Sequence, residues 1–230
     1  MRSPNLSGTR LALSANPVHQ IPRHISELVP RKVAKGQFVS MGAISWVYRI
    51  TPSIVLKYAR DTDAADLERE HAIYDMFELH PPCPFVMQSF YRTPAANFLP
   101  SMLTSMDTRL RSNQRLEKRK VLEVLRVEER RLVERWAAEL SAAVAWLESL
   151  GLVHADLRPP PNILFDDRDH LKLTDFDCVG CIGDLADGNA PPWARLFRDP
   201  LTGRGHFGVY GPTTEQFAIG SLLYCVAPGE

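Results

Sequence analysis

HADLRPPPNILFDDRDHLKLTDFD, residues 154–177, alternates between polar loops and two short apolar runs. Ile163-Leu164-Phe165 has the composition of a buried strand and Asp166-Asp167-Arg168-Asp169 that of a polar turn. Leu171-Lys172-Leu173-Thr174 alternates as a second strand. Such a hairpin carries Asn162 and Asp175 at its two open ends, on the same side of one cleft, with Asp156 in the loop just before. Two carboxylates and a carboxamide are hard oxygen donors, the type that holds Mg²⁺ while phosphate and water complete its shell. Any one of these acids alone reads as a solvated turn residue; the ordered set does not.

The 230 residues are 45% hydrophobic and 23% charged, enough material for a core and the balance of a soluble globular chain. The 27 basic residues offset 27 acidic ones, so nothing global favours nucleic acid or an anionic membrane as a partner. No apolar run approaches a membrane span, and the first residues lack the pattern of a secretory signal. Cys83, Cys178, Cys181 and Cys225 form no disulfide framework. A reducing compartment, cytoplasmic or nuclear, is expected. Cys178-Val179-Gly180-Cys181 has the spacing of half a zinc site, but no second pair is suitably spaced; it reads as small residues opening a loop.

Residues 1–34 carry Pro4, Pro17, Pro22 and Pro30 with little periodicity, the pattern of a loosely ordered arm. Three short strands are expected over 37–40, 44–50 and 54–58. The last places Lys57 in an apolar run, where a cation needs an anionic partner. Residues 63–79 read as a helix with acids early, stopped by His80-Pro81-Pro82-Cys83-Pro84. Residues 85–91 and 97–103 read as two more strands. The charge-rich run 109–131 reads as a solvated helix with mixed i,i+4 pairs rather than a basic interaction surface. Leu132, Trp136, Leu140, Ala143, Val144 and Leu147 make the apolar stripe of the strongest helix, and Gly151 stops it. A loop-rich region, 178–211, precedes a last helical run.

The ordered set resembles the protein kinases, whose catalytic loop reads H-R-D-x-x-x-x-N and whose metal loop reads D-F-G. The resemblance implies an α+β, bilobal protein-kinase-like fold. Its N-lobe, about residues 35–106, would be a small five-stranded antiparallel sheet with one αC helix. Its C-lobe, about 107–230, would be mainly helical and incomplete, ending after the family's αF helix. The resemblance also implies ATP and Mg²⁺ as cofactors and a protein substrate, with transfer to serine or threonine hydroxyls. By family role, Asp156 accepts the proton of the attacking hydroxyl, and Asn162 and Asp175 hold Mg²⁺. Arg158 stands where many serine/threonine kinases carry a Lys that touches the transferred phosphate. Lys57 matches the lysine of V-A-I-K, and Glu70 the αC glutamate that pairs with it. Gly42 is what remains of the Gly-rich lid over the phosphates, and Val47 falls where the family's Val packs on adenine. Residues 99–107 match the hinge and 178–211 the activation segment. Glu215 stands in for the Asp that anchors the catalytic loop, and His154 is expected to hydrogen-bond beneath that loop.

The chain departs from the family pattern in several places. Ala155 replaces the Arg of H-R-D, which removes the cation that meets a phosphorylated activation loop. Pro159-Pro160-Pro161 makes the Asp156-to-Asn162 spacing one residue too long, which is expected to bulge the loop or displace Asn162. Asp177 replaces the Gly of D-F-G, and the helices that follow αF are not represented. Divergent kinase-like proteins abundant in filamentous fungi carry similar H-x-D-L-R-P-P-N and D-F-D runs. Two alternatives stay open: a catalytically impaired nucleotide-binding pseudokinase or truncated gene product, and a small-molecule kinase of the aminoglycoside or choline type.

Overall fold

Strand β3 (Ile54–Ala59) lies at the centre of a five-stranded antiparallel sheet, with both of its edges hydrogen-bonded. The other strands are β1 (Gln37–Met41), β2 (Ser45–Thr51), β4 (Tyr91–Thr93) and β5 (Ala96–Pro100), in the order β1-β2-β3-β5-β4. The computed structural model describes residues 37–42, 45–59, 65–118, 120–186 and 190–227. The arm expected over 1–34 lies outside them, as do Ala43 and Ile44 of the lid. Helix α1 (Ala65–Phe77) follows the sheet's third strand. A short strand β6 (Thr104–Ser105) leads into α2 (Met106–Ser112), where the Ser105 hydroxyl accepts from the Thr108 amide at 3.1 Å.

Beyond α2 come the hairpin β7 (Gln114–Glu117) and β8 (Lys120–Val124), then α3 (Arg130–Ser149) and β9 (Leu152–Val153). One helical turn, α4 (Pro159–Asn162), precedes β10 (Ile163–Phe165) and β11 (Leu171–Leu173). A 3₁₀ turn (Phe176–Cys178) and β12 (Gly180–Cys181) follow, then the ribbon β13 (Phe197–Arg198) and β14 (Gly205–His206), and finally α5 (Pro212–Val226). The architecture is mixed α/β, and its sheet with one helix is compatible with a kinase N-lobe. Among the described residues no helix is long and apolar enough to cross a membrane.

The 20 residues of α3 give a rod of about 30 Å. Of the expected stripe, Trp136, Leu140, Ala143, Val144 and Leu147 are buried, whereas Leu132 is only half-buried and Val133 turns inward in its place. Gly151 ends it with φ +77°, a conformation that glycine adopts without the Cβ clash. The β10–β11 hairpin packs on this helix: Trp136 and Phe165 rings lie 4.4 Å apart, and Trp136 Nε1 donates to the Asp169 carbonyl at 2.9 Å. Glu139 on the same helix accepts from the Leu171 amide at 2.8 Å and from His170 Nδ1 at 2.5 Å. Phe176 closes the core from the far side, edge-on to Tyr74 and Phe77 of α1 at 5.5 and 5.1 Å.

Three sequence expectations need correction. Residues 109–131 are not one helix, because α2 stops at Ser112 and the run turns into the β7–β8 hairpin. Lys118 takes φ +46° at the bend, and Arg115 meets Glu123 across the strands at 3.0 Å; i,i+4 pairs are confined to the flanking helices, Arg111 with Asp107 and Arg130 with Glu134. Residues 85–90 form no strand of the sheet, whose fourth strand starts only at Tyr91. They run beside β11, with Met87 N donating to Leu173 O and Leu173 N to Phe85 O, each at 2.8 Å, so their backbone is satisfied outside the sheet. The last strand of the sheet is shorter than 97–103, stopping at Pro100, which has no amide to continue the ladder.

Trp136 fills the space between α3 and the β10–β11 hairpin, so Trp136→Ala should lower stability by about 3–5 kcal/mol, read as a shift in the urea midpoint; a shift within error would mean this contact is dispensable. His71 on α1 is held down to about 4 by burial and by Arg92, against an ordinary 6.5. Its folded value lies below its unfolded value, so as pH falls the unfolded chain takes up the proton first. Stability should therefore fall between about pH 6.5 and pH 4, by on the order of 1 kcal/mol after solvent screening. Thermal unfolding across that window should show a shallower pH dependence for His71→Leu than for the unaltered chain.

Candidate active site

Lys57 enters the site from β3, where Val47 of β2 and Asn97 of β5 flank it across the ladder. The period of two puts Val55 and Lys57 on the same face of the strand. Lys57 is 5% exposed and Glu70, projecting from α1, is fully buried. The ammonium hydrogen-bonds Glu70 Oε1 at 3.0 Å, lies 2.9 Å from Oε2 as an ion pair, and also pairs with Asp175 Oδ1. Burial opposes the charge on Lys57, yet Glu70 and then Asp175 hold its pKa above the ordinary lysine range. A buried cation held between two carboxylates remains charged and fixed in position.

Asp175 follows β11 with φ +71° and ψ +72°. This left-handed turn throws its carboxylate toward Lys57 while Phe176 drops into the core. Thr174 N donates to the Asn162 carbonyl at 2.9 Å, tying the two open ends of the β10–β11 hairpin. The extra proline does not push Asn162 away: 159–162 wind into a single helical turn that absorbs the added residue. Proline is well suited to the first turn of a helix, where its missing N–H leaves nothing unpaired. Asn162 Nδ2 donates to the Asp156 carbonyl at 2.6 Å and to Asp156 Oδ2 at 2.7 Å. Arg158 Nε lies 2.8 Å from Asp156 Oδ1, so each oxygen of that carboxylate is engaged.

The loop that carries Asp156 is held from beneath. Glu215, in the first turn of α5 and 2% exposed, accepts from the amides of His154 at 2.9 Å and Ala155 at 3.3 Å. Burial pushes the Glu215 carboxyl up, against those bonds. Ala155 sits at φ +64°, a strained conformation for a residue with a Cβ, and the Glu215 carboxylate compensates. His154 Nε2 lies 3.0 Å from the Thr174 carbonyl, and its Nδ1 accepts from the Asp156 amide at 3.3 Å.

Lys57 and Asp175 face an open cleft of about 360 Å³, whereas Glu70, Asp156, Arg158 and Asn162 are not among the residues that line it. Gly42, Val47, Lys57 and Asp175 line it, together with Leu99 and Met102 of the stretch expected as hinge, where no single contact had been named, and Val55 and Leu164, which the sequence reading had not assigned to the site. Val55 was legible, two positions before Lys57 on one strand face. Met102 was not, because it comes from an irregular segment. Arg49 reaches the same wall and donates to the Met102 carbonyl at 3.4 Å. Gly42 N donates to Ser45 O at 2.8 Å in the turn after β1.

Among the described residues no group of three or more His, Cys, Asp and Glu could hold a metal ion by itself. The donor set nevertheless suits a hard cation shared with phosphate. Asn162 Oδ1 is buried with no hydrogen-bond partner, an oxygen that calls for a cation or donor. Asp175 offers a partly exposed carboxylate beside it along the hairpin. Burial and then Asp175 push the Asp177 carboxyl up, so the residue replacing glycine adds a carboxyl to an already acidic corner. Burial and Asp177 push the Cys178 thiol up to about 12, which removes it as a thiolate nucleophile.

No family model matches the sequence. Curated relatives are found among kinases. The chain is 33% identical over 95 residues to the ribosomal protein S6 kinase-related protein of Homo sapiens, a match covering 41% of this chain and 22% of that protein. It is 31% identical over 113 residues to the hormonally up-regulated neu tumor-associated kinase of Homo sapiens, 48% of this chain and 15% of the relative. Against the serine/threonine-protein kinase WARTS homolog of Caenorhabditis elegans it is 46% identical over 46 residues, 20% of this chain and 5% of the relative. The matched part thus covers less than a quarter of each relative's length. At low identity and over part of its length, the chain is similar to protein kinases.

Proposed function

We propose that the chain transfers the γ-phosphoryl group of ATP, in the presence of Mg²⁺, to serine or threonine hydroxyls of a protein. The observation that carries this reading is the junction of Lys57, Glu70 and Asp175 at the wall of a cleft roomy enough for a nucleotide. Lys57 binds phosphate oxygens, with Glu70 fixing its ammonium. Asn162 Oδ1 and the Asp175 carboxylate hold the metal. When bound, Mg²⁺ supplies charge neutralisation at the phosphates. Val55, Leu99 and Leu164 pack against the base, and Met102 lies on the segment expected as hinge. Asp156 orients the acceptor hydroxyl and receives its proton as the hydroxyl oxygen bonds to the γ-phosphorus. The bond to the β–γ bridging oxygen breaks, and ADP leaves with that oxygen. Arg158, already against Asp156, provides the cation beside the transferred group.

A second reading, Mg²⁺-nucleotide binding without transfer, is supported by the lid. Its Gly42 amide is bonded to Ser45 within the turn, and Asp177 adds a carboxyl close to where phosphates would lie. The two readings share the binding site and differ in the chemical step.

Radiolabelled ATP with Mg²⁺ and a generic basic protein separates them. Asp156→Asn should lower transfer by about 10²-fold or more while a fluorescent ATP analogue still binds. Asp175→Ala and Lys57→Met should lower both transfer and magnesium-dependent binding. Binding without transfer in the unaltered chain would favour the second reading, and transfer only to a free amino-alcohol would assign a small-molecule kinase. Equal transfer by all four proteins would remove the catalytic assignment.

A further inference from the structure

Five arginines from separate parts of the chain converge on one concavity outside the cleft. Arg109 of α2, Arg126 of the segment before α3, Arg131 and Arg135 of α3, and Arg168 of the β10–β11 turn line an open hollow of about 440 Å³. Glu128, Glu129 and Asp169 are the acids on its wall, and Leu132 is its apolar patch. The local surplus is therefore cationic on a chain whose formal net charge is zero.

The arginines divide by what they already hold. Arg109 is saturated. Its Nε lies 2.8 Å from Glu128 Oε1, it pairs with Asp169, and its guanidinium stacks over Trp136 at 4.9 Å. Two of the three acids on the wall are thus paired with one buttressed residue, whose single charge offsets one of them. Arg135 uses Nη2 on the Asp169 carbonyl at 2.9 Å, but its Nε is buried without a hydrogen-bond partner, the nearest carboxylate oxygen being Glu139 Oε1 at 3.9 Å. Arg126, Arg131 and Arg168 are exposed, and among the described residues their guanidinium groups make no hydrogen bond or ion pair. Arg126 acts on Glu128 only as a more distant charge.

We infer that this concavity docks a short anionic peptide segment of a partner protein. Carboxylate or phosphoryl groups of the peptide pair with Arg126, Arg131 and Arg168, with the buried Arg135 Nε as a further donor. Planar guanidinium forks suit both kinds of anion. A peptide fits better than an extended nucleic acid, because the hollow is bounded and carboxylates on its wall repel a continuous polyanion. Thr104 and Thr108 line both the nucleotide cleft and a smaller hollow that shares Arg109, Arg126 and Glu128 with the concavity. The docked segment would therefore be held beside the cleft, across α2. The inference does not depend on phosphoryl transfer.

Fluorescence anisotropy of the full chain with labelled short peptides tests it. A glutamate-rich peptide, and a neutral peptide bearing one phosphoserine, are the two anionic probes; a lysine-rich peptide is the control. At least one anionic probe should bind saturably and more weakly as salt rises, and which of them binds tighter identifies the anion. The exposed pair Arg126→Gln/Arg131→Gln should weaken that binding by about tenfold, with the melting temperature unchanged, whereas Arg204→Gln on β14's approach should not. No saturable binding of either anionic peptide, equal binding by the double variant, or tighter binding of a single-stranded RNA would each overturn the inference.

Discussion

The ion pair between Lys57 and Glu70, extended to Asp175, is the constraint on which the rest of the site depends. It joins a central strand and the helix that follows it to the turn after β11, 118 residues beyond Lys57. Neither Lys57 nor Glu70 has water to fall back on. Removing one partner of such a pair costs about 3–5 kcal/mol because the other charge is left buried. The helix can therefore sit against the sheet in few other ways, and the cleft inherits its shape from that restriction.

A second set of contacts fixes the floor. Glu215 holds two amides of the loop that carries Asp156, and His154 spans from that loop to Thr174. Phe176 is packed between α1 and the long helix α3, so the residue next to Asp175 is anchored in the same core as the sheet's helix. Asn162 and Asp156 are bonded directly. The polar groups facing the cleft thus rest on a rigid apolar layer, as groups that act on a substrate must if their geometry is to hold without reorganisation.

Much of this was legible from local pattern. The hairpin of 163–173 was readable because two apolar runs flank a turn rich in aspartate. The helix of 130–149 was readable because its apolar residues recur at helical spacing and a glycine ends it. Lys57 stood out as a cation inside an apolar strand. The run 109–131 misled, because charge spacing that suits a helix also suits cross-strand pairing, and only the bend at Lys118 tells them apart. The segment 85–90 misled in another way: its hydrophobicity announces burial but not the partner it is buried against.

The sequence by itself determined which side chains are candidates for the site and where the β10–β11 hairpin and helix α3 form, since side-chain type and periodicity are local properties. Only the tertiary structure decided that Asp175 joins Lys57 and Glu70 in one cluster, and that three prolines coil into a turn that keeps Asn162 on Asp156. It also decided that arginines from four separate segments share one hollow. Each of these depends on which groups the fold brings together, where burial and hydrogen-bond or charge pairing select one arrangement that side-chain type and periodicity do not encode.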